Sequence, residues 1–236
     1  MKKLSLMILI LICISCVDYN DPSFHPRNEY NEWLAKQSAQ GDFDTLVASF
    51  DAKRAKEQFY LCTSCHGAQG HGNLELKTPC ISGLPEWYIY AQLTKFGTSA
   101  RGGHPHDEPG LRMAPMSRML SPKDRAHVAR FVSQLPTAHH SEKTILDGDL
   151  ARGKDLYAVC AACHGADGNG IQAMNAPPLK HTQDWYLVAQ LKNFKQGVRA
   201  SDPARDPIGA SMAPMANTLK DDQAIHDVVS YITSLE

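Results

Sequence analysis

The stretch Cys62-Thr63-Ser64-Cys65-His66 decides the fold expected for this chain, and it recurs as Cys160-Ala161-Ala162-Cys163-His164. Its spacing, Cys-x-x-Cys-His, is the attachment signature of a c-type haem. In each copy, the two thiols can bond the vinyl groups of one porphyrin, and the adjacent histidine lies beneath the iron. The sequence therefore predicts two haem c groups, with covalent bonds to Cys62, Cys65, Cys160 and Cys163 and iron bonds to His66 and His164.

A Cys-x-x-Cys pair has two other common uses, as a redox dithiol and as half of a zinc site. Redox dithiols of the thioredoxin type lie in a βαβ context, and no such pattern surrounds either pair. The two pairs could close one four-thiolate zinc site, but they lie 98 residues apart. Each pair also has its own trailing histidine and matching flanks. Haem is therefore favoured over zinc or a dithiol.

The similarity between the two halves of the chain extends well beyond the motif. The first copy continues as CTSCHGAQGHG and the second as CAACHGADGNG, and Trp87-Tyr88 recurs as Trp185-Tyr186 at the same offset of 98. A Met-Ala-Pro-Met stretch at Met113 recurs at Met212, at an offset of 99. Self-similarity on this scale indicates two tandem copies of one domain. At roughly 90 residues, each copy is small for a self-sufficient core, and a buried haem would supply the missing apolar centre.

The repeat divides the chain into five predicted segments. They are a signal peptide at 1–16, a spacer at 17–48, a first haem domain at 49–138, a linker at 139–148 and a second haem domain at 149–236. Apolar residues at helical spacing predict an all-α fold, with a few helices wrapped round one covalently bound haem in each domain. The predicted helices span 51–60, 86–96 and 123–135 in the first domain and 149–159, 184–194 and 221–235 in the second.

The last helix of each domain is expected to cross the first helix closely. Phe131 and Tyr231 provide the aromatic contact, and Ala55 and Gly153 are small residues at matching positions of the first helices. Asp51 and Asp149 suit the helix N-cap, because a short carboxylate accepts hydrogen bonds from the free backbone N–H groups there.

The composition and the first residues bear on location. A formal net charge of −1 and a pI near 6.8 give no support for nucleic-acid binding. Lys2 and Lys3 precede an apolar run, 4–14, that is too short to span a bilayer comfortably and matches a secretory signal. Export agrees with haem attachment, which takes place outside the bacterial inner membrane.

The end of this run resembles a bacterial lipobox. Ile14-Ser15 precedes Cys16, which predicts lipidation of Cys16 and a periplasmic protein anchored to a membrane by its N-terminal lipid. Cys13 stands where leucine is usual. The alternative is a signal segment in which Cys16 is incidental.

Each Met-Ala-Pro-Met stretch offers a sixth iron ligand, because a thioether sulfur favours reduced iron and raises the potential. We select Met113 and Met212, each seven residues before the leucine that opens the last helix. Met116 and Met215 are the alternatives.

Several other residues recur at matched positions and are assigned to the haem environment. The carbonyls of Pro79 and Pro177 are candidates to fix the histidine rings, unless these prolines only shape turns. Arg101 and Arg199 suit a grip on haem propionates, unless they are solvated loop charges. Trp87 and Trp185 are expected to pack at the haem edge or donate an indole N–H to a propionate. Cys80 has no repeat partner and is interpreted as a small buried hydrophobe.

With these residues in place, the chain from 49 to the C-terminus resembles the dihaem cytochrome c4 family. The resemblance implies two class I cytochrome c domains that face each other with haem propionates near the interface. It implies electron transfer between a quinol-oxidising complex and a terminal oxidase or reductase. It also supports the first methionine of each stretch as ligand. The long spacer, the lipobox-like segment and Cys80 depart from the usual soluble pattern of the family.

Three functions follow from these observations. The first is a one-electron carrier, because both irons are expected to be closed by two protein ligands. The second is a haem-containing subunit of a membrane oxidase or reductase, which shares this chemistry. The third is a dihaem enzyme, such as a peroxidase or a thiosulfate dehydrogenase, which would need an open or unusually ligated iron.

Overall fold

The computed structural model describes residues 43–138, 143–145 and 147–235, all within one unit of the chain, Gln37–Glu236. The predicted signal peptide, Cys16, most of the spacer and much of the linker lie outside the described residues. No helix within the described ranges has both the length and the apolar character needed to cross a membrane.

The described part of the chain is all-α, as the sequence predicts. Extended pairing within it is confined to two isolated bridges, Asn73 with Thr78 and Ile171 with Ala176. The first half contains helices α1 (Phe43–Val47), α2 (Ala52–His66), α3 (Glu86–Gly97), α4 (Glu108–Arg118) and α5 (Pro122–Ser133). The second half contains α6 (Leu150–His164), a 3₁₀ turn (Gln172–Met174), α7 (Asp184–Lys195), α8 (Pro207–Ala210), α9 (Met212–Asn217) and α10 (Asp222–Ile232).

The first helix of each repeat is longer than predicted and runs through the haem motif. Asp51 caps α2 by accepting from the backbone N–H of Arg54, and Asp149 caps α6 in the same way. Both helices end at the motif histidine, where the next residue, Gly67 or Gly165, has a φ of 78° or 80°. This left-handed conformation favours glycine and turns the chain away from the helix axis. The motif thiols and histidine therefore lie on the last turns of α2 and α6.

The methionine stretches are helical, although none of the predicted helices included them. Met113 lies within α4, and Met212 begins α9. Pro109 and Pro207 lie in the first turns of α4 and α8, where a missing N–H costs no helical hydrogen bond. The prediction of three helices in each domain therefore omitted the helices that carry the methionines.

The close crossing of the first and last helices is present in both domains. Phe59 packs on Phe131, and Tyr157 packs on Tyr231, each with ring centroids 5.5 Å apart. Ala55 is fully buried where α5 crosses α2. A Cβ atom at Gly153 would lie 2.1 Å from the carbonyl oxygen of Asp227 on α10.

Helix α1 belongs to the core of the first domain, although it precedes the predicted boundary at residue 49. Val47 is buried in this core, and the Phe43 ring lies 5.2 Å from that of Tyr90. The Leu46 carbonyl lies 3.2 Å from Nε2 of His127 on α5. The described core of the first domain therefore extends back to Phe43.

Replacement of Gly153 by alanine should destabilise the second domain by about 1–3 kcal/mol, because the added Cβ has no room against α10. Chemical denaturation of the haem-loaded protein measures this change. Lys154→Ala, at the exposed neighbouring position, is the control and should change the free energy of unfolding by no more than about 0.5 kcal/mol. Equal stability of Gly153→Ala and the parent protein would contradict the close crossing.

The contact that Asp124 makes between α2 and α5 should be sensitive to acid. Burial raises the pKa of Asp124, but hydrogen bonds from Arg54, Ser121 and Gln58 lower it by more. The pKa therefore falls from an ordinary value of 3.8 to about 2. Because the folded-state pKa is depressed, this stabilisation is fully present above about pH 4 and is lost as the pH falls towards 2. Asp124→Asn should cost roughly 1 kcal/mol at neutral pH, allowing for the exposed Arg54.

The variant should also lose stability less steeply than the parent between pH 4 and pH 2, as measured by denaturation at each pH. Asp222→Asn, at the more exposed Lys192–Asp222 pair, is the control and should follow the parent curve more closely. An unchanged acid profile in Asp124→Asn would contradict the assignment.

Candidate haem sites

His66 and His164 have the surroundings that an iron ligand requires. Each is buried at 5% exposure, and its Nδ1 atom lies 2.8 Å from a prolyl carbonyl oxygen, that of Pro79 or Pro177. A carbonyl can only accept, so Nδ1 carries the proton and Nε2 keeps its lone pair for a metal. Nε2 of His66 is buried without a hydrogen-bond partner. A buried, unpartnered ring nitrogen fits a bond to haem iron.

Glycine allows the prolyl carbonyls to approach the rings. Gly72 and Gly170 donate their N–H groups to the carbonyls of His66 and His164 and have φ values of 83° and 76°. A Cβ at Gly72 would lie 2.6 Å from the carbonyl carbon of Pro79. The loop after each motif therefore folds back on the histidine only because these positions have no side chain.

The first cysteine of each motif lies against the apolar core. Burial raises the pKa of Cys62 and of Cys160 to about 11, with a further contribution from the neighbouring motif thiol. This shift disfavours the thiolate, the form that binds zinc and reacts in redox dithiols. The motif cysteines are not joined in disulfides. Their surroundings therefore do not favour a reactive redox dithiol.

In each domain an aspartate begins the helical segment that leads to the candidate sulfur ligand. Asp107 caps α4, which contains Met113, and Asp206 caps α8, which directly precedes the Met212 helix α9. Asp107 accepts from the N–H of Gly110 at 3.1 Å, and Asp206 accepts from that of Gly209 at 2.7 Å. Both carboxylates are buried. Neither aspartate was predicted from the sequence, although an Asp-x-x-Gly pattern recurs at the same offset of 99 as the methionines.

Burial alone does not distinguish the methionines of each pair. Met113 packs against the main core of the first domain, and Met212 packs with Phe194 and Ala216 in the second. The alternatives, Met116 and Met215, are half-buried as well. The identity of the sixth ligand therefore stays a prediction.

Arg101 and Arg199 meet at the interface between the two domains. Arg101 donates to Gln92 of its own domain at 2.8 Å and to Gln190 of the other domain at 3.1 Å. Arg199 donates to Gln190 at 2.7 Å and to Gln92 at 3.2 Å. Arg101 also donates to the Tyr186 hydroxyl at 2.7 Å. Each arginine thus bridges both domains, which makes the network nearly symmetric.

The two guanidinium groups are arranged as an anion site. Arg101 stacks over Phe96 and Arg199 over Phe194, at 4.5 and 4.6 Å from the ring centroids. Neither forms an ion pair with a carboxylate among the described residues, and Nε of Arg199 is buried without a partner. Arg101 is buried and Arg199 is half-buried, and cations withdrawn from water need a compensating charge. Haem propionates would supply it, so the predicted propionate role fits this arrangement.

The remaining candidates lie close to this interface or to the haem motifs. Trp87 and Trp185 are half-buried, and each packs edge-on against the tyrosine that follows it. The backbone N–H of Cys80 donates across the interface to Gln183 at 2.7 Å, and its thiol lies 3.3 Å from the Ser82 hydroxyl. Cys80 is therefore a half-buried interface residue next to the proline that fixes His66.

One buried ion pair also crosses the interface. Lys95 Nζ lies 2.7 Å from Asp206, whose side chain is only 3% exposed. Burial lowers the pKa of Lys95, while Asp206 raises it. The repeat places Asn193 at the position equivalent to Lys95, so the pair has no counterpart on the other side of the interface. Sequence pattern gives no sign of this contact.

The family model for cytochrome c matches residues 52–136 and 150–236. The chain belongs to the cytochrome c family. Its two tandem domains are those of a dihaem cytochrome of the c4 type, which binds two covalently attached haem c groups and acts in electron transfer.

Three known proteins illustrate the similarity. The thiosulfate dehydrogenase electron acceptor of Thiomonas intermedia is 34% identical over 154 residues, which cover 60% of this chain and 66% of the relative. Cytochrome c4 of Azotobacter vinelandii is 28% identical over 197 residues, 80% of this chain and 90% of the relative. The crystal structure of reduced cytochrome c4 from Pseudomonas stutzeri superposes with a TM-score of 0.62 at 24% identity, over 79% of this chain and all of that one.

Lys95→Met should destabilise this cytochrome by about 2 kcal/mol, because it leaves the buried carboxylate of Asp206 without its cation. Thermal or chemical denaturation measures the change. Lys192→Met is the matched control, since Lys192 pairs with Asp222 on an exposed part of the second domain and should matter by less than about 1 kcal/mol. Equal effects of the two substitutions would show that the interface pair has no special role.

Proposed function

We propose that this cytochrome carries single electrons between respiratory complexes, from a quinol-oxidising complex to a terminal oxidase or reductase. We further propose that each iron is closed by one histidine and one methionine, His66 with Met113 and His164 with Met212. The observation that carries the proposal is the equivalence of the two sites. Both domains have the 2.8 Å hydrogen bond from histidine to prolyl carbonyl, and in both an aspartate caps the helix that contains or directly precedes the methionine.

Apart from the two haem groups, the residues of this chain account for the properties of an electron carrier. Bound haem supplies the one-electron Fe(III)/Fe(II) change. The prolyl carbonyls hold each histidine ring in one orientation, and the apolar cores exclude water from the histidines. The Arg–Gln network keeps the two domains in one relative position, which favours electron transfer within the molecule.

The second observation concerns the electron donor. The relative from Thiomonas intermedia is named as the electron acceptor of a thiosulfate dehydrogenase. A thiosulfate-oxidising enzyme is therefore a second candidate donor for this chain. Reduction by such an enzyme and thiosulfate would favour this candidate, whereas reduction by a quinol-oxidising complex would favour the first.

The proposed location is the periplasmic face of a membrane, with an N-terminal lipid on Cys16. Its support is the lipobox-like sequence alone. Mass spectrometry of the mature N-terminus tests it, since diacylglycerol and a third acyl chain add a defined mass to a peptide that begins at Cys16. Co-purification with a membrane complex after gentle solubilisation would favour the related role of an oxidase or reductase subunit.

Met113→Ala and Met212→Ala should each remove about half of the weak sulfur-to-iron absorption band of the oxidised protein, because each removes one of two thioether ligands. Visible and near-infrared spectra measure the band. Met116→Ala and Met215→Ala are the matched controls and should keep it whole.

The reduced parent protein should also leave its spectrum unchanged under carbon monoxide, while the first two variants acquire an open position that binds it. Loss of the band in Met116→Ala or Met215→Ala instead would reassign the ligand. Binding of carbon monoxide to the parent protein would indicate an open iron and favour an enzyme.

A further inference from the structure

A buried polar cluster in the first domain has no counterpart in the second. Its members are all buried. They are Tyr90 and Thr94 on α3, Ser117 on α4 and Arg125 on α5. The N-caps Ser121 and Asp221 align α5 with α10, so Arg125 and Ile225 are each the fourth residue after their cap. The counterparts of the cluster in the second domain are Val188, Lys192, Ala216 and Ile225.

Arg125 is the charged member of this cluster and is 1% exposed. Its Nε and Nη2 atoms donate to the Ser117 carbonyl at 3.2 and 3.1 Å, while Nη1 is buried without a hydrogen-bond partner. It forms no ion pair with a carboxylate among the described residues. A guanidinium group does not give up its proton in a protein. The core of the first domain therefore holds a positive charge without a bonded counter-ion.

This charge lies against α4, the helix that carries Met113. Ser117, which Arg125 contacts, is one turn further along α4, about 6 Å along the helix axis. The Ser117 hydroxyl donates to the Leu93 carbonyl and fixes this end of α4 against α3. In the second domain, Ile225 occupies the equivalent position within an apolar core.

The second domain has a buried negative charge instead. The Asp184 carboxylate accepts from the N–H of Thr144 at 2.6 Å and of Ile145 at 2.9 Å, and it has no cation partner among the described residues. Its counterpart in the first domain, Glu86, forms a two-bond ion pair with Arg130 at 2.8 and 3.0 Å.

The buried helix caps do not reverse this difference. Asp107 interacts with the charge of Arg101, and its counterpart Asp206 pairs with Lys95. These two carboxylates are thus each offset by a cation. Apart from Arg101 and Arg199, which face each other at the domain interface, the unmatched buried charges are positive in the first domain and negative in the second.

Buried charges act on a haem with little screening by solvent or salt. Ferric haem carries one more positive charge than ferrous haem, so a nearby cation favours the reduced state and a nearby anion favours the oxidised state. The two domains should therefore differ in potential even though their iron ligands are equivalent.

We propose that Arg125 sets the direction of electron transfer within the molecule, by raising the potential of the first haem above that of the second. The proposal rests on the two-haem carrier described above. In the favoured internal step, one electron leaves the second iron, which goes from Fe(II) to Fe(III), and reduces the first from Fe(III) to Fe(II). No bond or proton changes place.

The test is a spectroelectrochemical titration of the haem-loaded protein and its variants. In a Met212→Ala background, the sulfur-to-iron band reports the first haem alone. Adding Arg125→Met should lower the equilibrium constant for reduction of this haem about tenfold. That change corresponds to a potential lower by about 59 mV for one electron. Arg125→Lys keeps the charge and should restore most of the potential. Ile225→Met, the matched change in the second domain, should leave the first haem unchanged.

The proposal is overturned if Arg125→Met retains the native band and the native potential. It is also overturned if the second haem of the parent protein is reduced before the first, and this measurement decides the matter even if Arg125→Met fails to fold. Failure of Met212→Ala to remove half of the band would instead refute the assigned ligands, which is a separate result.

Discussion

The contact on which each haem site depends is the hydrogen bond between the motif histidine and a prolyl carbonyl, His66 to Pro79 and His164 to Pro177. A short Cys-x-x-Cys-His motif can attach a porphyrin, but it cannot by itself aim the imidazole. The returning loop does this, and glycine at its closest approach permits it. Because both repeats have the same loop, a prolyl carbonyl holds both histidine rings in the same way.

The interface between the domains follows from a second requirement, that cations withdrawn from water find partners. Arg101 and Arg199 each reach across to the glutamine of the other domain. The repeat makes this contact nearly symmetric. The ion pair of Lys95 with Asp206 has no counterpart and makes the interface asymmetric. Asp206 also caps the short helix that precedes Met212 in the second domain. A pair of similar domains is thereby given one defined orientation.

Local sequence was a good guide where the structure depends on local chemistry. The motif predicted the haem attachment, the matched small and aromatic residues predicted the helix crossing at Gly153, and the position of the prolines suggested the carbonyl contact. Apolar spacing did not predict α4, whose start depends on the Asp107 cap and on Pro109 in its first turn. It also left α1 outside the first domain, since five residues show no helical period and the packing of Val47 on α5 is non-local.

The cofactor, the tandem arrangement, the all-α class and the equivalence of the two sites follow from short motifs that recur at a constant offset in the sequence. Which charges are buried, and which of them have partners, follows only from the folded structure. Arg125 and Ile225 occupy equivalent positions in the repeat. The effect of having arginine rather than isoleucine there depends on the distance of the charge from the haem and on the exclusion of solvent. Those are properties of packing between residues distant in sequence, and no local pattern records them.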